Sequence, residues 1–286
     1  MPSVQLEQGT IHYEEAGPPA GRPVVFVHGY VMAGDQWREV AASLAERGLR
    51  AIAPTWPLGA HREPMRPGAD LGLRGQAALV AGFLEALGLE DVVLVGNDSG
   101  GAICQVVAAH HPDRLGALVL TNCDAFENCP PSFFKALVPL ANLPGALRVI
   151  LAPLRWGVAR RSPIGYGLLT HRDIDAWARE WVKPVLSDAR IREDTRRFTV
   201  SLRPEVTLDA AERLRGFEKP VLLAWGADDR LFPLKWARRL EAQLPDARLE
   251  PIEGARTLPM LDKPDRLAEL IGEFAAQRSA AGHAMR

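Results

Sequence analysis

The chain is poor in everything that would tie it to a special compartment or partner. Its three cysteines (Cys104, Cys123, Cys129) have no metal-binding spacing and cannot all pair. Neither a disulfide framework nor a thiolate metal site is expected, and a reducing, cytoplasmic setting is. No apolar run reaches membrane-spanning length and no signal-like leader opens the sequence, so no membrane partner is expected. With 34 basic and 35 acidic residues the net charge is −1, which gives no global field for nucleic acid. No internal repeat or low-complexity tract appears. Histidine is scarce too, with seven in all.

What remains is a well-mixed globular composition. The 47% apolar content supports a substantial core, and 286 residues accommodate one large domain or a core with an insertion. Residues 4–7 and 10–15 alternate around Gln8-Gly9, as in a hairpin. Apolar runs at 23–27, 51–54, 92–95, 117–120 and 220–225 read as strands, and 248–252 as a last one. Helical spacing at 35–47, 74–87, 102–110, 234–244 and 264–277 places helices between them. This alternation predicts a mostly parallel α/β sheet flanked by helices. It lapses between 124 and 215, where proline punctuation and helical patches at 133–138 and 174–182 predict an inserted helical cap. The expected division is a core of 1–122 and 216–286 with a cap of 123–215. Residues 58–70 read as a long polar loop, and 279–286 as a frayed tail.

One stretch stands out. Val92-Val93-Leu94-Val95 enters Gly96-Asn97-Asp98-Ser99-Gly100-Gly101, and an alanine-rich helical pattern leaves it. A strand, a glycine-flanked polar turn and a helix form the context of a nucleophile elbow. Asp98 stands at its centre. A carboxylate there can displace at carbon and carry an ester on itself. Two other readings stand beside this one: Asp98 as a simple helix cap, and Ser99 as the nucleophile in a register shifted by one.

The order of parts resembles a capped α/β-hydrolase of the epoxide-hydrolase and haloalkane-dehalogenase-like kind, over nearly the whole chain. His28-Gly29-Tyr30 resembles the loop that helps form the oxyanion hole. The resemblance implies that the N–H groups of Tyr30 and Ser99 stabilise an oxyanion beside His28. Trp225-Gly226-Ala227-Asp228-Asp229 resembles the turn that carries the catalytic acid, at Asp229. Asp124, just after the strand at 117–120, is its rival, because some dehalogenase-like members keep the acid there. The resemblance implies a small-molecule substrate and no cofactor or metal, and leaves a homodimer open.

The chain departs from the family at one place. In Gly254-Ala255-Arg256-Thr257-Leu258-Pro259, Thr257 occupies the position where the histidine belongs, and His283 lies far away in the tail. Threonine cannot take or give a proton near neutral pH as imidazole can. Three readings follow. Another residue (Asp124, His28 or His61) activates water; or Asp98 is an acid–base group for elimination, isomerisation or cyclisation, sharing a proton with Asp229; or the chain is a binding scaffold. Neither subtype fits. Tyr30 and Ser99 stand where dehalogenases resemble each other in a halide-binding Asn and Trp. Val31 replaces the epoxide-hydrolase proline, and Tyr166 is the cap's one tyrosine. Trp156, Trp177 and Trp181 are expected in cap–core packing or a pocket wall. The arginines at 160, 161, 190, 192, 196 and 197 are expected on a solvated face or near an anionic substrate.

Overall fold

The computed structural model describes residues 1–283, with side chains to residue 276 except that of Phe133. Eight strands form one sheet: β1 (Ser3–Leu6), β2 (Gly9–Ala16), β3 (Pro23–Val27), β4 (Arg50–Pro54), β5 (Val92–Asp98), β6 (Leu115–Cys123), β7 (Val221–Gly226) and β8 (Ala247–Ile252). Their spatial order is β1-β2-β4-β3-β5-β6-β7-β8. β1 and β2 form the expected hairpin, β2 pairs antiparallel with β4, and every later pairing is parallel.

Helices α1 (Arg38–Glu46), α2 (Leu73–Ala86) and α3 (Ser99–His110) follow β3, β4 and β5. Seven strand residues of β5 are buried in succession, because helices cover both faces of the sheet. Alternation along the strands still divides the core. Val25, Val27 and Leu94 pack toward α2 and α3, whereas Val24, Phe26, Val93 and Val95 pack with Trp37 and Leu44 on the other face. Each such fully buried side chain contributes about 1.5–3 kcal/mol.

After β6 the chain is helical: α4 (Leu137–Ala141), α5 (Ala146–Leu151), α6 (Gly157–Arg161), α7 (Asp175–Ser187), α8 (Ala189–Ser201) and α9 (Pro204–Arg213). α7 and α8 are separated by Asp188, whose carboxylate accepts from the N–H of Arg190 and caps α8. α9 packs against α3, and Ala210, Ala211 and Leu214 join the core on that face. The last part of the helical segment is therefore a layer of the core, not part of a cover over the sheet's end. The fold closes with α10 (Lys235–Gln243), α11 (Pro259–Asp262) and α12 (Pro264–His283).

Several expectations need correction. β6 runs on to Cys123, because its end pairs with Asp98. The polar loop at 58–70 is only partly exposed: Leu58, Ala60, His61 and Met65 are buried, while Arg62, Glu63 and Arg66 face out. Where a helix was expected at 133–138, a 3-10 turn (Ser132–Phe134) precedes α4. α12 passes the expected end at 277 and continues through the start of the expected tail to His283; residues 284–286 lie outside the described residues. Among the described residues, no helix is long and apolar enough to cross a membrane.

Candidate active site

β5 stops and α3 starts with no linker, and the whole turn falls on Asp98. Its backbone has φ 54° and ψ −130°, a conformation costing about 1–3 kcal/mol for a residue with a side chain. The strain persists because the surroundings leave no alternative. A Cβ on Gly101 would lie 2.2 Å from Cβ of Cys123, and one on Gly29 would lie 2.5 Å from Oδ1 of Asp98. The glycines thus let β6 and the β3 loop close around the carboxylate. Oδ1 accepts the N–H of Ser99 at 2.7 Å and that of Tyr30 at 3.0 Å. Both donors expected for an oxyanion hole therefore hold the aspartate itself. Burial raises its pKa above the ordinary carboxylate range, and these N–H bonds oppose the rise.

The strand register brings a second carboxyl beside the first. Cys123 pairs with Asp98, and the N–H of Asp124 donates to the Asp98 carbonyl at 3.3 Å. The Ser99 hydroxyl donates to Oδ2 of Asp124 at 3.2 Å. Oδ1 of Asp124 is buried with no hydrogen-bond partner. Burial, and then the charge of Asp98, push the Asp124 carboxyl well above its usual range. Asp98 has two N–H donors favouring its anion and Asp124 has one hydroxyl, so Asp124 is the more readily protonated of the two.

Asp229 is placed differently. Its Oδ2 accepts from Nδ2 of Asn122 at 2.8 Å and its Oδ1 from the N–H of Leu231 at 2.8 Å. Among the described residues no hydrogen bond joins it to Asp98, and the carboxyl whose charge acts on Asp124 is that of Asp98. Thr257 is fully buried beside Asp229, whose raised carboxyl its hydroxyl helps to hold down, and its carbonyl accepts from Nδ2 of Asn97 at 2.7 Å. Asn97 and Asn122 escaped sequence reasoning. Each lies one step past an apolar strand run, a place where a buried amide can bind several loops. Asn97 does so to Thr121, Asn122 and Thr257, and Asn122 to Gly226 and Asp229.

The histidines considered as bases are committed elsewhere. Nε2 of His28 accepts the N–H of Trp56 at 2.8 Å, which leaves Nδ1 to donate to the Gly29 carbonyl at 2.9 Å. Burial lowers its pKa to about 4, so it is a neutral strut under the Tyr30 loop. His61 is buried and lies 3.3 Å from Oδ2 of Asp194 on α8, which also accepts the N–H of Met65 at 2.8 Å. Trp181 donates to Asp35, Trp177 lies against Arg172, and Trp156 is exposed. Arg160 is buried on Asp175, Arg161 pairs with Asp173, Arg190 with Asp188 and Arg196 with Glu193, while Arg192 and Arg197 donate to backbone carbonyls. None of these tryptophans and arginines lines the cavity over Asp98.

That cavity holds about 280 Å³. Its polar groups gather at one end, from Asp98, Ser99, Asp124, Tyr30 and Thr199. The remaining wall is apolar, with Phe134, Leu137, Leu151, Leu154, Leu169 and Leu202 among its residues. Thr199 donates to the Thr195 carbonyl, so the Tyr30 hydroxyl is the donor in its 2.8 Å bond to Thr199. Tyr166, also in the wall, donates to the carbonyl of Val31 at 2.6 Å. Among the described residues no cluster of His, Cys, Asp and Glu is arranged to hold a metal ion.

A strained elbow at the carboxyl ends of parallel strands, with helices over it, has many counterparts. Residues 22–264 match the family described as alpha/beta hydrolase fold. The chain belongs to this family. It is similar to haloalkane dehalogenase 2 of Mycobacterium tuberculosis (29% identical over 270 residues, 93% of this chain and 91% of that one). It is also similar to a non-heme chloroperoxidase of Streptomyces lividans (29%, 94% and 99%). A 2-hydroxy-6-oxo-6-phenylhexa-2,4-dienoate hydrolase of Comamonas testosteroni is 28% identical, with 96% and 93% covered. Among solved structures, a haloalkane dehalogenase from Bradyrhizobium elkani superposes with TM-score 0.80 at 18% identity, covering 97% of each chain. A thermophilic esterase from Thermogutta terrifontis gives 0.75 at 21%, covering 97% and 99%. Relatives of the alpha/beta hydrolase thus include hydrolases of several kinds, and the structural neighbours carry the fold alone.

Proposed function

We propose that this alpha/beta hydrolase cleaves a C–O bond, of the epoxide or ester kind, in a small apolar substrate, using Asp98 as nucleophile and Asp124 as its proton partner. The observation that carries the reading is the Asp98–Asp124 pair on the polar wall of an apolar cavity. Two carboxyls whose surroundings divide one proton between them assign themselves as base and acid. Asp98 attacks an alkyl carbon, the ring carbon of an epoxide or the alcohol-side carbon of an ester; the C–O bond breaks toward oxygen, and the Asp124 carboxyl protonates that oxygen. Asp98 now carries an alkyl ester, and Asp124 is a carboxylate. It takes a proton from water as that water attacks the ester carbonyl, whose oxyanion lies on the Tyr30 and Ser99 N–H groups. Collapse breaks the bond from the Asp98 carboxyl to the alkoxide, which leaves as the alcohol with the remaining carboxyl proton. Asp98 returns as carboxylate and Asp124 as acid.

On this reading Asp124 does the work of the imidazole that Thr257 replaces, and Asp229 supports the loops behind it. The covering helices after β6 act as the cap. Halide expulsion is disfavoured, since Tyr30 and Ser99 occupy the halide-binding positions. A second reading has one specific support: a proton-sharing dicarboxylate suits elimination or isomerisation, with Asp98 as base and Asp124 as acid and no covalent step.

Intact-mass measurement separates these readings. The Asp124→Asn protein, which lacks both the acid for opening and the base for hydrolysis, is expected on long incubation with a terminal alkyl epoxide to gain slowly the mass of one epoxide, mapped to Asp98. Wild type is expected to form the diol with no lasting adduct. Turnover that survives Asp98→Ala would overturn the nucleophile, and adduct-free turnover of other substrates that needs both carboxyls would support the second reading.

A further inference from the structure

The near-zero charge of the whole chain hides a local imbalance. Residues 128–172 contain no aspartate or glutamate and carry Lys135, Arg148, Arg155, Arg160, Arg161 and Arg172. The last three are committed to Asp175, Asp173 and Glu39. Lys135, Arg148 and Arg155 form no ion pair among the described residues. The same stretch holds six of the large apolar side chains left exposed: Leu140, Leu143, Val149 (73% exposed), Trp156 (60%), Val158 (84%) and Ile164 (69%). The two others exposed among the described residues, Met1 and Leu208, lie outside it.

These residues sit on one continuous piece of structure. α4 packs on α5, α5 on the 3-10 turn Ala152–Arg155, and that turn on α6. Leu140 and Ile164 are exposed and also line the cavity, so the apolar surface leads into the chamber over Asp98. The guanidinium of Arg155 lies 5.4 Å from the centre of the Trp156 ring, leaving an aromatic and a cation together at the surface. Contiguous exposed apolar surface marks an interaction site. Exposed apolar side chains among cations that form no ion pair match an anionic phospholipid surface: side chains enter the headgroup boundary and cations meet phosphate. Trp156 has the amphipathic ring favoured at that boundary.

We infer that the α4–α6 face docks on anionic phospholipid bilayers, with the mouth of the cavity turned toward the lipid. An apolar substrate dissolved in the bilayer then reaches Asp98 without crossing water. This goes beyond the proposed chemistry and does not depend on it.

Co-sedimentation of the full chain with extruded vesicles tests the inference. Binding is expected to phosphatidylcholine vesicles containing phosphatidylglycerol, weaker in high salt, and much weaker to phosphatidylcholine alone. The doubly substituted Val149→Glu/Val158→Glu and Arg148→Glu/Arg155→Glu proteins change only exposed positions, and each is expected to bind at least about tenfold less tightly. The Asp98→Asn protein is expected to bind as wild type does, which separates docking from catalysis. Absence of binding to the anionic vesicles overturns the inference, as does binding indifferent to both double substitutions. A lipid-free dimer abolished by Val149→Glu/Val158→Glu also overturns it, by assigning the face to a second copy of the chain.

Discussion

The N–H of Asp124 donates to the carbonyl of Asp98 at 3.3 Å, so the end of one strand and the residue just past its parallel neighbour bring two carboxyls within electrostatic reach. Strand pairing, a backbone property, places these two acids, and backbone N–H groups then treat them unequally.

That inequality sets the pH dependence of activity. On the proposed mechanism the rate needs Asp98 ionised and Asp124 protonated, so activity is expected to fall in acid as Asp98 gains a proton and in alkali as Asp124 loses one. Burial raises both carboxyls, Asp124 further by the charge of Asp98, so the active window lies above the ordinary carboxylate range. In a pH–rate profile of single turnovers, Asp124→Asn should abolish the alkaline limb and lower the rate by about 10²–10⁴-fold.

Stability follows the same proton. A carboxyl whose folded pKa is raised binds its proton more tightly in the native state. Below the unfolded value it makes no difference, and stability is lost as pH rises from there through the folded value. Asp124→Asn, which has no proton to bind or lose, is therefore expected to gain stability over wild type as pH rises from the ordinary carboxylate range to neutral. The gain should vanish below the ordinary carboxylate range. Urea unfolding at two pH values measures it.

Gly29 leaves the space that the Asp98 carboxylate fills. Gly29→Ala would put a methyl 2.5 Å from Oδ1 of Asp98, and the strained elbow has no room to retreat. Activity should be largely lost and stability lowered by about 1–3 kcal/mol, as read by chemical denaturation beside the kinetic assay.

The space at Thr257 is buried close to Asp229. Thr257→His is expected to speed breakdown of the ester on Asp98, followed by mass spectrometry after a pulse of epoxide. Enlarging a fully buried side chain should at the same time cost about 1–3 kcal/mol of stability. An unchanged ester lifetime would show that position 257 does not reach the ester carbonyl.

Asp194 joins α8 to the loop before α2, through His61 and the Met65 N–H. Asp194→Ala leaves that buried N–H unpaired and should destabilise the protein by about 1–3 kcal/mol. Proteolysis is expected to cut first within residues 58–70, whose burial depends on this contact.

Sequence alone determined the alternating strands and helices, the hairpin at the start, the elbow and the helical interruption before β7. Each is written locally, as apolar periodicity or as glycines around a turn, and local patterns survive without knowledge of neighbours. It also named Asp98, Tyr30, Ser99 and Asp124, all of which the fold brings to one end of one cavity. It left the burial of His61 and Met65 in the loop at 58–70 unread and took 279–283 for a frayed tail, because spacing carries no information on what packs against a residue. Only the tertiary structure decided that Asp124, through the β5–β6 pairing, is the carboxyl beside Asp98, that both histidines considered as bases are tied to other partners, and that the uncharged whole contains one basic, apolar face. Burial and charge pairing depend on residues far apart in the chain, and their positions exist only once the sheet has formed.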